Sequence, residues 1–198
     1  MPDPLYFSVW IKELRPATML QQFEPLLSVF PVSALRPGIE VLTIRAISDA
    51  EPELLDEAFE EPVTLSDAMR QAQQFLHDDC AYEITTHWDL WRREGMEWRL
   101  LPQEVRISCF GPAYENDIGD HMRFALGWDD QFLPDPADPS SITPVASNLR
   151  SVARLAESLH ASMAVERRML WSSAEESFLT QLEATVFAAS EPGNHPAR

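Results

Sequence analysis

Three runs between residues 82 and 128 constrain this chain most, because each alternates large apolar with polar side chains. In 82–90, Tyr82, Ile84, Trp88 and Leu90 share a strand face with Thr86, while Glu83, Thr85, His87 and Asp89 share the other. Val105, Ile107 and Cys109 alternate with Glu104, Arg106 and Ser108. Met122, Phe124, Leu126 and Trp128 alternate with His121 and Arg123. Three such runs in succession predict an antiparallel sheet with one greasy and one polar face.

The flanking segments predict what covers the greasy face. Residues 5–12 read as a strand with large side chains on both faces, Leu5, Phe7, Val9 and Ile11 against Tyr6 and Trp10. A helix follows Pro16 and is expected to stop or kink at Pro25, which lacks an amide donor. A second strand over 39–47 would complete a βαβ-like opening, long enough for a parallel pair. Residues 46–69 carry eight acids with no Lys or Arg and read as a solvated loop, although Leu54, Leu55 and Phe59 favour some contact. Thr64 and Asp67 have the spacing of a capping box ahead of a helix that presents Leu65, Ala68, Met69, Ala72, Phe75 and Leu76. Residues 96–101 read as a short strand stopped by Pro102, and four prolines make 133–144 a stiff connector. Leu149, Val152, Ala156, Leu159 and Met163 define an amphipathic helix, and Ser173–Glu176 caps a last one.

The fold class expected is therefore α+β: a mostly antiparallel sheet of about five strands, helices on one face and two C-terminal helices. The organisation expected is a sheet domain over 1–133, a linker over 134–146, a helical pair over 147–190 and a flexible tail over 191–198.

Charge narrows the partners. With 32 acids against 15 bases the net charge is −17. That disfavours nucleic acid, whose phosphates must be neutralised by Lys or Arg, and an anionic membrane surface. It allows a basic protein partner, whose encounter would be electrostatically steered. Arg150, Arg154, Arg167 and Arg168 make the C-terminal part the least acidic, so it could dock on the remainder or pair with a second copy as a homodimer. Cys80 and Cys109 form no CxxC pair and read as reduced, buried thiols. With no signal-peptide pattern at the N-terminus and no apolar run near membrane-span length, the expected location is cytoplasmic.

No nucleotide-binding glycine loop, nucleophile elbow, HExxH or EF-hand pattern occurs, so no cofactor is expected. The chemistry-bearing residues fall on the polar strand face: Glu83, His87, Asp89, Trp91, Arg106, His121 and Arg123. Two imidazoles and a carboxylate could hold a transition metal, or Asp89 could orient His87 as a base. Cross-strand ion pairs account for the same residues without a site. The oxygen-rich stretch 115–121 lacks calcium-loop spacing and reads as a turn. The function expected is a non-catalytic binding module for a basic protein partner. The alternative is a small-molecule or metal-dependent enzyme working on the polar face.

Overall fold

The computed structural model describes residues 2–173, 178 and 180–182. In chain order the elements are β1 (Pro4–Ile11), α1 (Met19–Val29), β2 (Ile39–Ala46), β3 (Glu53–Val63), α2 (Leu65–Ala72), β4 (Cys80–Glu94), β5 (Glu97–Phe110), β6 (Met122–Trp128), α3 (Ile142–Ser162) and β7 (Val165–Ser172). The strands form one sheet in the order β3-β2-β4-β5-β6-β1-β7. Every neighbouring pair is antiparallel. The α+β class is as expected, but among the described residues the sheet has seven strands rather than about five.

The alternation read from 82–128 sets the layers. Tyr82, Ile84, Trp88, Leu90, Val105, Ile107, Cys109, Met122, Phe124 and Leu126 are all buried in one core. Phe23 and Leu26 of α1, Ala68 and Met69 of α2, and Val152, Leu155 and Leu159 of α3 belong to that same core. The three helices therefore lie on the greasy face. Thr64 caps α2 as expected: its Oγ1 accepts from the Asp67 amide and donates to Asp67 Oδ2 at 2.7 Å. Among the described residues no helix is long and apolar enough to cross a membrane.

Several expectations are corrected. β1 and β2 run the same way, but β4, β5 and β6 lie between them, so there is no parallel pair. α1 passes through Pro25 instead of stopping. Pro25 and Gln21 are both exposed, so the carbonyl that loses its partner can be hydrated while Phe23, Leu26 and Leu27 stay packed. The acidic stretch is not a loop. It forms the edge strand β3, where Leu55, Phe59 and Val63 pack on the core and acidic side chains face water. Residues 97–101 and 105–109 are one strand, β5, with Pro102 inside it and Met96 in the turn before it. β6 pairs only with Arg106–Cys109, so that flank of Pro102 carries no ladder.

Trp128 changes sides. Leu5 pairs with Gly127 and Tyr6 with Ala125, which leaves Leu126 as an extra residue in β6. The bulge carries Gly127 at φ +116°, and a side chain there would meet Gln131 Oε1 at 2.9 Å. Past the bulge the alternation is inverted, so Trp128 is 48% exposed. α3 begins inside the segment read as a linker, with Pro144 in its first turn. The strand β7 follows it, where no strand was expected. The last expected helix falls mostly outside the described residues. Of it, Phe178 is helical and buried in the core.

Candidate functional site

Register brings a row of side chains across the helix-free face. Asp56, Thr43, Glu83, Ser108, Arg123, Ser8 and Met169 are successive cross-strand partners from β3 to β7. Paired residues in a sheet point to the same side, so this row lies on the polar face. Thr43 donates to Asp56 at 3.1 Å and Ser108 to Glu83 at 2.9 Å. Asp120 sits over the Arg123–Ser8 pair, and Ser8 accepts at 2.9 Å from the indole of Trp171.

Around this row the face is concave. One depression of about 210 Å³ is lined by Arg45, Glu83, Arg106, Ser108, Phe110 and Arg123, among others. A second, of about 170 Å³, is lined by Gln103, Glu104, Gly127 and Trp128. Tyr6, Arg106 and Ala125 line both, so the two form a continuous groove. Ala125 pairs with Arg106 on one side and Tyr6 on the other, and its small side chain makes the floor.

Three of the seven sequence-named residues meet here: Glu83, Arg106 and Arg123. Arg123 is committed to structure, with bonds of 2.9 and 2.7 Å to Asp120 and 2.7 Å to Asn116. Its guanidinium also lies over the Phe110 ring. Arg45 is tied to Glu53. Arg106 is held loosely, its nearest carboxylate being Glu83 at 4.0 Å.

The other four do not join them. Asp89 fastens the 33–34 loop, accepting from the Ser33 hydroxyl and from the Ala34 amide at 2.8 Å. It is therefore not the orienter of His87. Trp91 is pinned to α3 through its backbone, which exchanges bonds of 2.9 and 2.8 Å with the Asn148 side chain. His87 is 3% exposed, with Nδ1 3.5 Å from Glu40 and no hydrogen bond among the described residues. Burial pushes its pKa below the usual value, and Arg36 acts the same way against Glu40 and Glu104. His121 accepts from the Ile11 amide at 3.0 Å, and burial lowers its pKa as well.

His87 lies opposite Glu104, whereas His121 is level with Phe110. Six strand residues separate those levels, roughly 20 Å, so the two imidazoles cannot share a metal. Among the described residues the only carboxylate–imidazole group tight enough for one is His77, Asp78 and Asp79, neighbours on an exposed turn. Neither cysteine offers a nucleophile at neutral pH: burial pushes the Cys109 thiol up to about 12 and raises Cys80 as well.

A second feature lies at the acidic edge. Among the described residues β3 pairs only with β2, so its outer edge is open to them. Ile39 pairs with Val63 and Val41 with Ala58, leaving residues 59–62 opposite Glu40 alone. A cleft of about 740 Å³ opens at this interruption. Its walls include Leu35, Val41 and Phe59 beside Glu40, Glu60 and Glu61. Arg36 pairs with Glu40 at 2.8 Å, so Glu60 and Glu61 remain uncompensated among the described residues.

Sequence alone does not single out Tyr6, Arg45, Ser108, Phe110 or Ala125 as site residues, and it places Trp128 on the greasy face. Only Gly127 inside a strand-like run hinted at a bulge there. Neither a family model, nor a curated protein, nor a solved structure matches the chain.

Proposed function

We propose that this protein is a non-catalytic binding module whose partner is a basic protein segment docked along β3 and into the cleft beside it. One observation carries the reading: the acidic stretch is an edge strand whose outer side pairs with no described residue. Such an edge offers backbone donors and acceptors to an added strand. Glu57, Glu60 and Glu61 are exposed there, and the apolar walls of the cleft would take intervening side chains. The net charge of −17 would steer a basic segment toward the molecule.

The enzymatic alternative draws less support. Its metal version needed His87, Asp89 and His121 together, and each is separately engaged or buried. Nucleic acid and anionic membrane remain disfavoured on charge.

The test is fluorescence anisotropy with a labelled decapeptide that alternates Arg and Val. The wild type should bind saturably, weaken between 50 and 300 mM NaCl as an ion-paired complex must, and lose binding when Glu57, Glu60 and Glu61 are changed to Lys. Saturable binding that survives this charge reversal, or no binding at 50 mM NaCl, would refute the proposal.

A further inference from the structure

We propose that the groove on the helix-free face is a binding site for a small aromatic monocarboxylate, with Arg106 as its anchor. This stands apart from the acidic edge and does not depend on it. Arg106 lines both halves of the groove, yet its guanidinium and the Tyr6 hydroxyl make no hydrogen bond to any described residue. Its neighbours Arg45 and Arg123 are by contrast each paired with a carboxylate, Arg45 with Glu53 through one bond and Arg123 with Asp120 through two. A planar fork with free donors at the centre of a concavity matches the planar, bidentate geometry of a carboxylate.

The walls set the rest of the ligand. Tyr6 is stacked on Trp171 with ring centroids 4.6 Å apart, which fixes its plane beside the groove. Trp128 closes the far end only because the Gly127 bulge turns it onto this face, and bulges often re-aim a side chain at a binding site. Between them the floor is Ala125, with no bulk to displace. Depressions of about 170 and 210 Å³ accommodate a single ring and fall short of drug-sized ligands. Glu83, Glu104 and Asp49 line the same groove and outnumber Arg106, so a dianion such as phosphate would be repelled more strongly than a monoanion held by the Arg106 fork.

The experiment is a ¹H–¹⁵N NMR titration of the full chain with benzoate, with benzamide and inorganic phosphate as separate arms. Benzoate should shift the Arg106 Nε–H and Trp128 indole signals together and saturably. Benzamide, which lacks the charge, and phosphate should each bind at least about tenfold more weakly. Arg106→Gln should weaken benzoate at least about tenfold, and Arg106→Lys should restore it only in part. Ala125→Leu should abolish binding by filling the floor, with spectral dispersion reporting that the fold is intact. Absence of a saturable shift with benzoate overturns the proposal. So does phosphate binding as tightly as benzoate, or benzoate binding unchanged in Arg106→Gln or Ala125→Leu.

Discussion

Asp120 is the most heavily used carboxylate on the open face. It accepts from the Ser8 hydroxyl, twice from Arg123 and from Asn116, at 2% exposure. Burial alone would raise its pKa, but the Arg123, Ser8 and Asn116 bonds outweigh burial and hold it below the usual range. Asp120→Asn would leave Arg123 without its counter-charge in a mostly buried place. The expected loss is about 3 kcal/mol in urea unfolding at pH 7, since breaking a buried pair costs more than the pair contributes. A depressed carboxyl stabilises above its unfolded value of about 3.9 and loses that contribution as pH falls through the folded value. The cost of the substitution should therefore shrink toward pH 3. In sequence Asp120 reads only as one oxygen of a turn. Arg123 and Asn116 are local partners, but the bond from Ser8 comes from a strand distant in the chain, which no local pattern could indicate.

Among the elements, α1 and β3 show where local rules lose to packing. Pro25 lacks an amide donor, yet α1 continues because the buried side chains on either side of it hold the helix against the sheet. Pro25→Ala should restore the missing bond and raise stability by about 1–2 kcal/mol, less the greater freedom of the unfolded chain. A shift in the urea midpoint of the opposite sign would show that solvent already compensates the Gln21 carbonyl. β3 reads as a loop because its acids repel one another. β2 supplies the ladder, and burial of Leu55, Phe59 and Val63 outweighs the repulsion. The exposed acids then protect an open edge from pairing with like edges of other copies. The same repulsion opposes a homodimer formed β3 to β3.

At the level of the whole molecule, pH acts on the interior of the sheet through two histidines, the buried His87 on β4 and the half-buried His121 just before β6. Burial lowers the pKa of His87 beside β2 and of His121 beside β1. Neutral imidazole is favoured in the folded chain, so its stabilisation is complete above the unfolded value of about 6.5 and is lost as pH falls through the folded values. The urea midpoint should fall between pH 7.5 and 5.5, before the carboxylates titrate, and His87→Gln should reduce that fall. A midpoint independent of pH in this window would contradict the neutral assignment. The sequence by itself determined the three central strands, their greasy face and the Thr64 cap, because period-two alternation and capping are properties of a few consecutive residues. Tertiary structure alone decided that Glu83, Ser108, Arg123 and Ser8 form one row, that His87 and His121 stand apart, and that Trp128 faces the groove. Register joins segments more than a hundred residues apart, as in the pairing of Ser8 with Arg123, and one extra residue at a bulge inverts every side chain beyond it.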